Sequence, residues 1–256
     1  MHPLVNIGIS AARAAGNIMM RHLDRVDQLK IDRKGRYDFV SDVDHRAEQA
    51  IIETIHRAYP DHAILGEESG EHGEHEVQWI IDPLDGTTNY LHQIPHFCTS
   101  IGIVDRGELA HAIVYDPFKE ELFTASKGRG AQLNRRRIRV SGARRLDQAL
   151  ITTGEPLDEG PRMDRYLPQL ERVTKGGGGI RRSGSAALDL AYVAAGRYDG
   201  FWELNLKPWD IAAGILLVRE AGGAVQELAG GDPLKSGDIA AANTRLIEPL
   251  MAAIAG

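Results

Sequence analysis

Apolar residues at Leu4, Ile7, Ala11, Ala14, Ala15, Ile18 and Met19 recur at helical spacing, with Arg13 and Arg21 off the stripe. They predict a helix over residues 4–22. Gly35 interrupts the pattern. Ala47, Ile51, Ile52 and Ile55 share one face of a second helix over 44–59, which Pro60-Asp61 ends. The period then changes. Residues 63–65, 77–81, 99–104, 109–115 and 121–124 read as strands, separated by turn pairs such as Arg106-Gly107 and Asp116-Pro117. Residues 131–140 suggest a further hairpin turning at Asn134-Arg135.

From there the elements alternate. Strands are expected at 149–153, 199–203 and 224–227, and helices at 163–173, 185–195 and 209–221, with Gly176 to Gly179 as a flexible link. Helices first, then a largely antiparallel sheet, then alternation, suggest an α+β half over residues 1–145 and an α/β half over 146–256. No linker signature marks that boundary, so the halves are expected to pack tightly.

Composition narrows the function classes. The chain has 256 residues, 43% hydrophobic and 26% charged, with a formal net charge of -6. That is ordinary for a globular protein and argues against a generally basic nucleic-acid binder. One cysteine, Cys98, excludes an intrachain disulfide and fits a cytoplasmic location. Neither a signal peptide nor a membrane-spanning run is expected. Cys98 itself reads as a small buried hydrophobe, and Trp202 and Tyr198 as core.

Candidate chemistry concentrates in Trp79-Ile-Ile-Asp-Pro-Leu-Asp-Gly-Thr-Thr-Asn-Tyr90. The strand ends at Asp82, and Pro83 is expected to stop it from continuing as a central one. Asp85-Gly86 turns, and Thr87 starts a helix. Two carboxylates converge here on a point that the N–H groups of Gly86 and Thr87 also face. Acids beside an anion-binding backbone conflict unless a divalent cation joins them. Taken alone, the segment is equally an Asp-rich turn with a capping residue.

Other acids change that balance. Gly66-Glu67-Glu68-Ser69 follows an apolar strand, with Glu68 expected to be solvated. Asp42 and Asp44 open the second helix, where capping is a sufficient role for either. Asp210 lies in the first turn of the nearly all-apolar helix after Lys207-Pro208 and needs a partner. All these donors are oxygens, which favours Mg²⁺ or Mn²⁺ over zinc. His72 and His75 lie in a polar loop and make a weak metal site. No EF-hand, phosphate loop or nucleophile elbow is present.

Glu67 in its Gly-Glu-Glu-Ser context, the Asp82–Tyr90 segment and Trp209-Asp-Ile-Ala-Ala-Gly…Glu220-Ala-Gly-Gly223 together resemble the inositol monophosphatase family, closest to its bacterial members of the SuhB type. The likeness spans essentially the whole chain. It implies a layered αβαβα sandwich, a homodimer, lithium sensitivity and two or three Mg²⁺ ions per site. By resemblance, Glu67, Asp82 and the Leu84 carbonyl would hold one ion, and Asp82, Asp85 and Asp210 a second. Glu67 would also reach a third ion through water. Asp44 and Thr87 would orient the attacking water, and Gly86 and Thr87 would bind phosphate. Gly184, Ser185, Ala186, Glu203 and Asp85 would contact sugar hydroxyls, with Lys34 near the metals. Lys207 stands where animal members carry histidine, which bears on substrate contacts.

The implied reaction is Mg²⁺-dependent hydrolysis of a small sugar or polyol phosphomonoester, myo-inositol 1-phosphate first, by in-line attack of water without a phosphoenzyme. Rivals with the same motif are fructose-1,6-bisphosphatase and nucleotide 3′-phosphatase. A rival of another kind is a regulatory role in contact with RNA or the transcription machinery. It rests on the basic run Asn134-Arg-Arg-Arg-Ile-Arg139, which solvated arginines on a hairpin turn also explain.

Overall fold

The computed structural model describes residues 2–28, 31–33, 39–154 and 161–256. In chain order the helices are α1 Pro3–His22, α2 Asp42–Ala58, α3 Thr87–Leu91, α4 Pro161–Lys175, α5 Ala186–Ala194, α6 Pro208–Glu220, α7 Pro233–Ser236 and α8 Ile247–Ala255. The strands begin with β1 Ile31–Arg33, β2 Phe39–Ser41, β3 Ala63–Gly66, β4 Gly70–His72, β5 Val77–Asp85, β6 Cys98–Asp105, β7 Glu108–Asp116 and β8 Glu121–Ser126. They continue with β9 Gly130–Leu133, β10 Arg136–Arg137, β11 Leu150–Thr153, β12 Gly179–Arg181, β13 Gly200–Glu203, β14 Gly223–Glu227 and β15 Ile239–Asn243.

An eight-stranded sheet runs β10-β9-β8-β7-β6-β5-β3-β4, antiparallel except where β3 pairs with β5. A five-stranded mixed sheet runs β12-β11-β13-β15-β14, and β1 pairs with β2. Alternating side chains on each strand serve different cores. Ile101, Ile103 and Ile113 face α1 and α2, while Ala112, Val114 and Phe123 face α5 and α6. In the second sheet, Phe201 and Ala241 face α5 and α6, while Trp202, Ala240 and Ala242 face α4 and α8. The result is the five-layer αβαβα sandwich.

The middle layer explains the composition of its helices. α1 and α2 cover one face of one sheet and carry a single apolar stripe. α5 and α6 lie between two sheets, so they are apolar all round: Ile211 through Val218 are all buried, as are eight of the nine residues of α5. Ser185 caps α5 by accepting from the Leu188 N–H. Pro208 occupies the first turn of α6, where its missing N–H costs nothing.

Three expectations change. Pro83 does not end its strand: β5 runs on to Asp85, with a bulge between the pairs Asp82↔Ser100 and Asp85↔Cys98. Pro83 sits inside the bulge, where no ladder donor is required of it. Glu68 is not solvated. Its side chain is 3% exposed, 3.8 Å from His45, and its N–H donates to the buried Glu48. Gly179 does not belong to a flexible link but starts the edge strand β12. Lys34 lies outside the described residues. No described helix is long and apolar enough to cross a membrane.

Two histidines make the fold acid-sensitive. Burial pushes His96 and His111 down to about 4. A folded value below the unfolded one means stability present above about pH 6.5 and lost as pH falls towards 4, on the order of 1–2 kcal/mol each after solvent screening. Urea midpoints at pH 7.5 and 5.0 should therefore differ, and His111→Gln should remove part of that difference. A wild-type midpoint independent of pH would contradict it.

Candidate active site

The parallel strands β3 and β5 end side by side, and the Glu67 N–H continues their ladder onto the Ile81 carbonyl at 3.1 Å. Glu67 and Asp82 are thus brought together at the carboxyl ends of strands, where open sheets commonly place ligands. The bulge supplies the next acid. Three steps along β5, from Asp82 to Asp85, span two along β6, from Ser100 to Cys98, so Asp82 and Asp85 leave the sheet on one face. In a regular strand, residues three apart point to opposite faces. Asp82 Oδ1 accepts from the Leu84 N–H at 3.0 Å, and the Thr99 hydroxyl donates to the Pro83 carbonyl at 3.0 Å.

That shared face meets the starts of α5 and α6. Asp85 Oδ2 accepts from the Ser185 hydroxyl at 2.6 Å and from the Ala187 N–H at 2.7 Å, a carboxylate seated on a helix N-terminus. Asp210 enters from the first turn of α6, its carboxylate accepting from the Lys207 N–H at 2.6 Å. Gly86 has φ 92°, which lets the chain turn sharply from β5 into α3. There is no room for a side chain either: a Cβ would meet the His96 carbonyl at 3.0 Å. Thr87 Oγ1 lies within hydrogen-bond reach of Asp44 Oδ1, at 3.1 Å, and of the Leu84 carbonyl, at 3.0 Å.

A cavity of about 470 Å³ opens over these groups, bordered by Asp85, Gly86, Thr87, Ser185, Glu203 and Asp210, with Gly184 and Ala186 also on its wall. Asp82 lies beneath, 2% exposed. Burial and then the charges of Glu67, Asp85 and Asp210 push the Asp82 carboxyl well above its ordinary range. Burial and then Asp85 do the same to Asp210, against the Lys207 N–H. Asp85 is raised by burial despite its donors. Glu203 is raised by burial and then by Asp189, Asp210 and Asp85, with Arg182 opposing.

Such a set suits a cation far better than an anion. Its donors are carboxylate and carbonyl oxygens, Leu84 included, with no thiolate or imidazole among them; that is the chemistry of Mg²⁺ or Mn²⁺. Among the described residues no three His, Cys, Asp or Glu side chains form a ready-made metal cage. His72 and His75 form no such group either. His75 Nδ1 instead accepts from the Val77 N–H. Cys98 is buried, its thiol pushed up by burial and by Asp85.

Several residues here escaped the sequence reading. Asn89 donates to the carbonyls of His96 and Ser183, at 2.9 and 2.8 Å, and so ties α3 to the approach to α5. Asp189 borders the cavity, accepts from the Thr152 hydroxyl at 2.8 Å, and is raised by burial to about 8. A lone acid inside the apolar run of α5 was the signal that marked it. Gly154 leaves space for Glu203: a Cβ there would lie 2.0 Å from Glu203 Oε1. Gly154→Ala should therefore displace Glu203 and raise KM for a hydroxyl-bearing substrate roughly tenfold, the scale of one lost charged hydrogen bond. Initial rates would show it, and an unchanged KM would detach Glu203 from binding.

The sequence pattern of the inositol monophosphatase family matches residues 1–255. Nus factor SuhB of Pseudomonas aeruginosa is 48% identical over 99% of this chain and 96% of its own length. Nus factor SuhB of Escherichia coli K12 is 48% identical over 98% of this chain and 96% of its own. The crystal structure of extragenic suppressor protein suhB from Bartonella henselae superposes with TM-score 0.96 at 46% identity, covering 99% of this chain and 98% of that one. The IMPase of Thermotoga maritima superposes with TM-score 0.91 at 34% identity, covering 99% and 97%. This chain belongs to the inositol monophosphatase family of phosphomonoester hydrolases.

Proposed function

We propose that the chain is a Mg²⁺-dependent phosphatase that converts myo-inositol 1-phosphate, or a closely similar polyol phosphate, to the free polyol and phosphate. The observation that carries this is the buried Asp82 beside Glu67, Asp85 and Asp210 under the floor of the cavity. Glu67, Asp82, Asp85, Asp210 and the Leu84 carbonyl would hold two or three ions. When bound, the ions offset the charge of the phosphate dianion, acidify the attacking water and stabilise the leaving oxygen.

The chain's own groups do the positioning. The Thr87 hydroxyl, held by Asp44, aims the water at phosphorus. The N–H groups of Gly86 and Thr87 receive phosphate oxygens. Glu203, with the Gly184–Ala186 turn, receives the polyol hydroxyls. Asp85, tied to α5, keeps the water-aiming and polyol-binding sides in register. Lys207, exposed beside Asp210, adds positive charge at the rim. The division into halves at 145 and 146 is proposed with this site between them.

A homodimer, lithium inhibition and a cytoplasmic location belong to the same proposal. Ile94 and Phe118, each 48% exposed, favour a protein partner. The Lys119 ammonium holds their two turns together by donating to the Pro95 carbonyl. Phosphate release should be compared across inositol 1-phosphate, fructose 1,6-bisphosphate and a 3′,5′-bisphosphonucleotide, each with Mg²⁺, with and without Li⁺. Inositol 1-phosphate should be hydrolysed fastest, with Li⁺ inhibiting. No Mg²⁺-dependent release from any of the three would overturn the reading.

A second reading, an RNA-associated role alongside catalysis, is favoured by the name Nus factor carried by the relatives and by the exposed Arg135, Arg136 and Arg137. A salt-dependent gel shift lost on replacing the three arginines with alanine would support it.

A further inference from the structure

The eight-stranded sheet extends beyond the helix pair that covers it. Ile113 on β7 packs among the α1–α2 core residues. Farther along and across the ladder, the same face presents His111, Thr124, Ser126 and Gln132, through the pairs Ile113↔Thr124, His111↔Ser126 and Thr124↔Gln132. The opposite face stays apolar, with Ala112, Phe123, Ala125 and Ala131 in the α5–α6 core. One face of this sheet end has thus been made polar. A cavity of about 810 Å³ lies over it, between the first turn of α1 and the β8–β9 hairpin, and shares no residue with the active-site cavity. Its size is that of a small-molecule site.

Its charge is one-sided on a chain of net charge -6. Lys127, Arg129 and Arg135 line it, and no Asp or Glu does. The first turn of α1 carries no acid either. Lys127 is committed to Glu108 at 2.5 Å, whereas Arg129 and Arg135 pair with no carboxylate among the described residues. Arg135 has φ 67°, a conformation disfavoured for any side chain but glycine, so the turn keeps its guanidinium here at a backbone cost. The rings of His2 and His111 stack at 4.3 Å in the wall, and the Ser126 hydroxyl lies 2.8 Å from His111 Nδ1.

The geometry points to a second, non-catalytic site in this cavity that takes a phosphorylated small molecule of nucleotide size. Two guanidinium groups with no carboxylate partner among the described residues suit phosphate oxygens. The histidine stack offers a flat ring surface, and Thr124, Ser126 and Gln132 offer hydrogen bonds. The cavity is half open to solvent, and its volume is that of one small molecule rather than of an extended strand.

ADP titrated calorimetrically into the full chain in EDTA tests the site. Chelation removes any anion binding that a metal would support at the carboxylates. Saturable binding is expected, weakened roughly tenfold or more by Arg129→Ala and by Arg135→Gly. Glycine suits the φ of position 135, so that variant keeps its fold. Mg²⁺-dependent phosphatase activity should be unchanged in both, which separates this site from the catalytic reading. Absence of ADP binding would overturn the proposal, as would binding indifferent to both substitutions. So would a short single-stranded RNA that needs the same arginines and is not displaced by ADP.

Discussion

Asp82→Asn is expected to lower Mg²⁺-dependent phosphate release by roughly a thousandfold, about 4 kcal/mol of transition-state stabilisation, while making the metal-free protein more stable. The two effects have one cause. Asp82 is buried against three other carboxylates, and its carboxyl is pushed up by burial and by their charge. A folded value raised above the unfolded one means stability present below about pH 4 and lost as pH rises. The gain from Asn should therefore be larger at pH 8 than at pH 5. Asn keeps an oxygen for the Leu84 N–H. Thermal melts in EDTA would read this at about 2–4 °C per kcal/mol for a chain of this size. Added Mg²⁺ should raise the melting point of the wild type far more than that of the variant. Full activity in the variant would remove Asp82 from the mechanism. An unchanged metal-free melting point would mean that the repulsion is relieved in some other way.

Gly237→Ala should be among the most damaging single methyl groups at the described glycines. Gly237 has φ 75°, and a Cβ there would lie 2.1 Å from the Leu206 carbonyl oxygen and 2.6 Å from the Leu206 nitrogen. Both are backbone atoms, so no rotamer change can relieve the contact. A cost on the order of 3–5 kcal/mol is expected, visible as a lower urea midpoint. The damage should reach catalysis. The Leu206 N–H donates to the Gly237 carbonyl, and the Asn205 N–H to Asp238 Oδ1, so this contact fixes the segment that leads into Lys207 and Asp210. Turnover of the folded fraction should fall roughly tenfold or more, the cost of displacing a catalytic group by a fraction of an ångström. A variant that melts and turns over like wild type would show that the two loops adjust independently.

Much of this fold was legible because period and burial coincide. The stripes of α1 and α2 each match one buried face, and the unbroken apolar runs around Trp79 and Ile101 match strands buried on both. The five-layer order came from the family resemblance, and the all-apolar α6 fits it. What was not legible has physical reasons. β15 is Ile-Ala-Ala-Ala-Asn, a strand with one branched residue and no aromatic one, thin between its two layers and weak in strand propensity. Glu68 looked solvated because its partner, Glu48, lies twenty residues earlier on another element. Asn89 acts through carbonyls that local sequence does not reveal. Pro83 was read for the donor it lacks, when the bulge had already removed the need for one.

That bulge makes the geometry of the two acids a matter of counting. Asp82 and Asp85 share a face because β5 spends one more residue than β6 between them. Substituting Pro83 or Leu84 alters packing but leaves the count intact. Deleting either residue would set the acids two apart on an even ladder, still on one face, but would remove the bulge and the hydrogen bonds made within it by Asp82 with Leu84 and by Thr99 with Pro83. It is the loss of the bulge at the present spacing that would turn the second acid away from α5, so the extra residue acts as a reading frame written in the strand.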